Sequence, residues 1–181
     1  MIKKILSVAG LSVLLSTAHA ADAAYYFGVK VADMNADISG YDAGTSQSYE
    51  YDNVSAAGLV IGYRVDRELC LEGEITTSLG SGDISSTGAA TQNEWDVTTF
   101  AIHGVYKSRG ITHVRLKAGL TYAMIDQPDA LKNNTWAPDE NAASFSYGIG
   151  LGFETGTDRE LVIEWTRISD ELSILGVGIN F

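Results

Sequence analysis

Apolar and polar residues alternate with period two through most of the chain beyond residue 24, and helical periodicity is nearly absent. That pattern predicts strands. The contrast is sharpest in two stretches. In the first, Val114, Leu116, Ala118, Leu120 and Tyr122 alternate with His113, Arg115, Lys117, Gly119 and Thr121. In the second, Phe145, Tyr147, Ile149, Leu151 and Phe153 alternate with Ser146, Gly148, Gly150 and Gly152. The same reading places further strands over about 24–33, 54–65, 68–78, 94–107 and 160–168, and a last one over about 174–181. The links between them are short near Asp66, Arg109 and Asp158 and long over 34–53, 79–93 and 124–143, with the link at Ser169 and Asp170 the exception. Eight strands joined by alternating short and long links predict an antiparallel, up-and-down β-barrel.

A soluble barrel such as a lipocalin alternates too, but it turns its apolar face inward. Here the face opposite the large apolar residues carries glycine and full charges. A charge facing lipid costs about 2–4 kcal/mol at the bilayer midplane, so the charged face is the expected interior and the apolar face the expected lipid surface. Short turns on one side and longer loops on the other then put both termini in the periplasm of a bacterial outer membrane.

The front of the chain fits that destination. Lys3 and Lys4 precede an apolar run over 5–15 and the small-residue site Ala18-His19-Ala20, the pattern of a cleaved export signal. The expected division is a signal peptide at 1–20, cleaved at Ala18 and Ala20, and one barrel domain at 21–181. The apolar run is too short to cross a bilayer as a helix. Losing Lys3 and Lys4 takes the net charge from −11 to −13, an acidity that disfavours nucleic acid as a partner. The single cysteine, Cys70, rules out an internal disulfide and reads as a small buried filler.

Four stretches carry a family resemblance: Ala24-Tyr25-Tyr26-Phe27-Gly28-Val29-Lys30, Leu116-Lys117-Ala118-Gly119-Leu120-Thr121-Tyr122, the run from Phe145 to Phe153, and the terminal Phe181. On these the chain resembles the small outer-membrane β-barrel family of OmpA and OmpX type, and the resemblance covers the whole expected mature domain. It implies that the terminal strand, with Leu175, Val177, Ile179 and Phe181, is recognised by the barrel-assembly machinery. The chain departs from OmpA proper in having no peptidoglycan-binding domain after the barrel, so a cell-wall tether is not expected.

For chemistry, the interior charges stand out. Lys30, Glu72, Glu74, Arg115, Lys117 and Glu164 fall at similar depths in their strands, with His103 between them, and should share one layer. An eight-stranded interior is only wide enough for side chains to fill. Opposed charges there should pair into a plug, the alternative being a gated ion path. A catalytic reading of His103 and His113 with a serine, as in lipid A-modifying barrels, fails because both histidines point inward; no Gly-x-Ser-x-Gly elbow or zinc-type cluster appears. No catalytic, cofactor or metal residue is expected.

The first long loop holds Asp33, Asp37, Asp42, Glu50 and Asp52, and the third Asp126, Asp129, Asp139 and Glu140 against Lys132. This acidity reads as a solvated surface, or as carboxylates bridged by divalent cations to lipopolysaccharide phosphates. Tyr41, Tyr49, Tyr51 and Trp136 are adhesive contacts or loop packing; Trp95 and Trp165 are expected in the interfacial aromatic girdle. The resulting expectation is a non-enzymatic barrel with a charge-filled lumen and mobile external loops. Its role would be structural or adhesive, with outer-membrane lipids, lipopolysaccharide and host or phage surfaces as partners. The alternatives are a narrow porin-like channel and, less favoured, a lipid A-modifying enzyme.

Overall fold

The computed structural model describes residues 25–42, 47–86, 93–129, 138, 141–156 and 159–181. The expected signal peptide, with Ala18 and Ala20, lies outside the described residues, as do Lys132, Trp136, Asp139, Glu140 and Asp158.

The strands are β1 (Tyr25–Ala36), β2 (Ser39–Asp42), β3 (Gln47–Tyr51), β4 (Val54–Arg64), β5 (Leu69–Ser78), β6 (Gly82–Ser86), β7 (Asn93–Lys107), β8 (Thr112–Asp126), β9 (Asn141–Glu154), β10 (Glu160–Arg167) and β11 (Leu172–Asn180). Eight of them, β1, β4, β5, β7, β8, β9, β10 and β11, pair antiparallel with their neighbours. The ring closes where β1 meets β11, with Val31 opposite Val177 and Gly28 opposite Asn180. Closure leaves these strands with no free edge.

Side-chain parity decides what faces where. Ile102, Leu120, Phe145 and Val31 are each more than 60% exposed on the outer wall, whereas Glu72, Glu74, Lys30, Arg115 and Lys117 are all buried in the lumen. This arrangement is inverted relative to a water-soluble domain and suits a hydrocarbon surround. Cys70 is buried with Tyr26 and Val105.

The external loops differ from the expectation in their described parts. The first and second are not simply mobile: β2, β3 and β6 continue the sheet beyond the barrel wall, through Tyr51 opposite Ile84 and Gly82 opposite Trp95. The inward residues of this extension and of the upper barrel form a continuous apolar cluster, including Met34, Ile38, Tyr51, Ile84, Trp95, Val97 and Ile174. The lumen is therefore charged only in its lower half, nearer the short turns. Toward the loops it is an apolar core, because the inward positions there are Met34, Val54, Val97, Ile125 and Leu172.

Trp95 also corrects the girdle expectation. It is 1% exposed and sits inside the mouth, because odd positions of β7 point inward and Gly82 across from it leaves room for the indole. Its Nε1–H donates to the Asp52 carbonyl at 3.1 Å, and its ring meets Tyr51 edge-on at 5.6 Å. Trp165 does face outward, against Tyr147. Tyr49 and Tyr51 are loop-packing residues, both buried in the apolar cluster.

Candidate functional site

The lumen charges stack in two tiers. In the upper tier Lys30, Glu74, Lys117 and Glu164 form a closed ring of alternating sign. The Lys30 ammonium pairs with Glu74 and reaches Glu164 at 3.5 Å; that of Lys117 pairs with Glu164 at 2.7 Å and Glu74 at 3.3 Å. The Thr76 hydroxyl donates to Glu74 at 2.9 Å. In the lower tier Arg115 bridges Glu72 (2.5 Å) and Glu160 (2.8 Å), while the Tyr26 hydroxyl donates to Glu72. Glu160 also takes Lys107 (2.7 Å), His113 (2.8 Å) and Asn180 (3.0 Å).

Four cations, Lys30, Lys107, Arg115 and Lys117, thus meet four carboxylates, Glu72, Glu74, Glu160 and Glu164. Each carboxylate has at least one cationic partner and further donors, the condition under which buried ions are tolerated. Strand register makes this possible. Lys30 lies opposite Gly58 and Gly178, and Glu164 opposite Gly150 and Gly176, so both of these long side chains cross above positions without one. A Cβ added at Gly152 would fall 2.3 Å from the His113 ring and 2.5 Å from Glu160. The glycines therefore make room for side chains. The void bounded by Lys30, Glu72, Arg115, Glu164 and Asn180 is about 20 Å³, room for about one water.

His103 lies in the same stack but joins no ion pair. Its Nε2 is 2.9 Å from the Ser146 hydroxyl, which also accepts from Thr121 at 2.8 Å. This histidine–serine pair is fully buried, with His103 at 1% and Ser146 at 0% exposure, and His103 stands opposite Glu72 in the strand register. Among the described residues, no group of three histidine, cysteine or acidic side chains is placed to hold a metal.

The structure brings Lys30, Glu72, Glu74, Arg115, Lys117 and Glu164 together. Sequence reasoning missed Glu160, the hub of the lower tier, because it opens its strand, though its parity with Val162 and Glu164 already marked it inward. Tyr26 was legible as inward but carries no charge to flag a partner. Leu175, Val177 and Ile179 point outward along β11, and Phe181 continues its pairing through reciprocal backbone hydrogen bonds with Phe27.

Above the barrel wall, Tyr51 donates to Gln127 at 2.6 Å and Gln127 donates to the Pro138 carbonyl at 3.0 Å, tying the first external segment to the third. Burial, reinforced by the charge of Glu171, pushes the Tyr51 phenol up to about 12.

A closed eight-stranded barrel with a lipid-type outer wall and an ion-paired lumen defines an integral outer-membrane protein. Residues 7–179 match the family model described as "Outer membrane protein beta-barrel domain", and the chain belongs to that family. Solved structures share the fold at low identity. The outer membrane protein OprG of Pseudomonas aeruginosa superposes with a TM-score of 0.61 at 10% identity, over 88% of this chain and 96% of that one. Neisserial surface protein A gives 0.55 at 13%, over 87% and 96%. The N-terminal barrel of Pseudomonas aeruginosa OprF gives 0.50 at 12%, over 85% and 96%. No curated protein sequence matches the chain.

Proposed function

We propose that this barrel is a closed, non-enzymatic outer-membrane protein with a structural and surface-contact role. It reinforces the membrane and holds an acidic strand extension above it for adhesion to host or phage surfaces. The observation that carries this reading is the double closure of the lumen: neutral ion-paired tiers below, and a packed apolar lid built on Trp95, Tyr51 and Met34 above. Lipopolysaccharide and outer-membrane phospholipid are its standing partners, and the assembly machinery reads Leu175, Val177, Ile179 and Phe181 during insertion. The short turns and both termini face the periplasm, an orientation supported by loop asymmetry. The burial of the His103–Ser146 pair speaks against a lipid-modifying enzyme.

The refolded protein in planar bilayers should give no reproducible conductance steps, and neither should Trp95→Ala, which opens only the lid above intact ion pairs. Steps in the wild type that change with Glu74→Gln would overturn the closed reading in favour of a narrow ion channel gated by the ring.

A further inference from the structure

Exposed charge is sorted between the two ends of the barrel. At the loop end Asp33, Asp37, Glu50, Asp52, Asp83 and Asp126 are exposed, and Arg167 is the one lysine or arginine there among the described residues. At the turn end every turn carries exposed arginine: Arg64 and Arg67 flank the β4–β5 turn, Arg109 lies in the β7–β8 turn and Arg159 in the β9–β10 turn.

The acids of that end are largely occupied. Asp66 caps its own turn, accepting from the Glu68 and Leu69 amides at 2.7 Å. Glu68 is taken by Arg109 at 2.5 Å. Arg64, Arg67 and Arg159 pair with no carboxylate among the described residues, where Glu154 is the remaining exposed acidic side chain of this end. Arg159 is held at the outer rim, its guanidinium 5.7 Å from the Phe181 ring centre, whereas Arg64 lies 5.7 Å from the centre of the lumen-facing Tyr26 ring and covers the lumen mouth. Stacking of this kind orients the planar fork while leaving its donors free. Just above stands an outward aromatic band with Tyr25, Tyr63 and Tyr106, which marks the headgroup level.

We propose that Arg67 and Arg159 form a pair of phosphate clamps that binds the phosphodiester headgroups of anionic phospholipid in the leaflet at the turn end. The chemistry is a planar, permanently charged donor fork meeting a phosphate at the depth where lipid phosphates lie. The polarity of the two ends gives the binding a direction, because the acidic loop end repels the same headgroups. Which leaflet this is rests on the orientation proposed above; the binding itself does not.

The test uses the refolded protein in nanodiscs of equal phosphatidylethanolamine and phosphatidylglycerol, whose two leaflets are equivalent, so the outcome is independent of orientation. Lipids retained after detergent extraction are quantified by native mass spectrometry. Wild type should retain phosphatidylglycerol preferentially. Each of Arg67→Gln and Arg159→Gln should lower the preference by roughly fivefold at low salt, and Arg64→Gln at the lumen mouth and Arg167→Gln at the loop end should leave it unchanged. Heat-modifiable migration checks folding, and single variants stand in if the double variant fails it. Equal retention of the two lipids by wild type would overturn the proposal. So would displacement of the bound lipid by inorganic phosphate, which would assign a simple anion site, or a preference that survives in the double variant. Orientation is tested separately by protease access to the loops in intact cells.

Discussion

At the scale of single residues, this lumen works by pairing a large side chain with a missing one. A Cβ at Gly62 would lie 2.0 Å from the Tyr26 ring, so that glycine is the seat of the tyrosine that donates to Glu72. Gly62→Ala should therefore cost about 1–3 kcal/mol as overpacking, measured by urea unfolding in vesicles. In a Tyr26→Ala background the same change should cost little; equal costs in both backgrounds would sink the seat-and-ring account. The ion pairs follow a different rule. Glu164→Gln leaves Lys117 leaning on Glu74 alone inside a water-poor lumen, a loss of about 3–5 kcal/mol. Replacing Lys117 and Glu164 together by Met and Leu should restore most of that loss, because the penalty comes from the orphaned charge and not from the missing attraction.

At the scale of elements, Trp95 couples the strand extension to the barrel. Its ring sits over Gly82 of β6, edge-on to Tyr51 of β3, and its indole N–H reaches the chain just after β3. Trp95→Ala should cost about 3–5 kcal/mol of packing. Amide exchange should show that loss as lowered protection in β2, β3 and β6 while the barrel strands remain protected. Loss of protection in β8 and β9 as well would mean that extension and barrel unfold as one unit. The same element has a pH limit. The Tyr51 phenol is held up to about 12 against an ordinary 10.0, so below pH 10 it is neutral in both the packed and the detached states and its packing is fully present. Above pH 10 the detached state ionises first, and that stability drains away as pH rises to about 12. Trp95 fluorescence in a Trp136→Phe/Trp165→Phe background should report loosening in that window, and Tyr51→Phe should abolish the pH dependence.

At the scale of the whole molecule, three regions of charge are kept apart: an acidic loop end, an electrically balanced lumen, and a turn end rimmed with arginine. The balanced lumen lets a very acidic chain place eight ionised groups inside a membrane protein without a net buried charge. The eight strands, their approximate limits and the assignment of faces were legible in the sequence, because a strand's period of two leaves each residue only two choices. Lipid resolves which face is which through the cost of charge. That six of the charges share the lumen was legible for the same reason, but the single layer expected for them is in fact two tiers, because Glu72 and Arg115 pair with each other below the ring of the other four. The apolar lid was not. Met34, Val97 and Ile174 have the inward parity, but beyond the bilayer an apolar residue is as suited to a packed core as to the outer wall, and alternation alone does not separate the two. Trp95 was misplaced on that ground.

The sequence by itself determined a closed antiparallel barrel with lipid outside and charge inside, since alternation and the penalty for a charge in hydrocarbon are local properties of each strand. Only the tertiary structure decided who pairs with whom. The ring of Lys30, Glu74, Lys117 and Glu164, the hub at Glu160 and the lid over them depend on register around all eight strands. In the ring Lys30 meets Glu164 from 134 positions away, because closing the sheet fixes the height of every strand relative to every other.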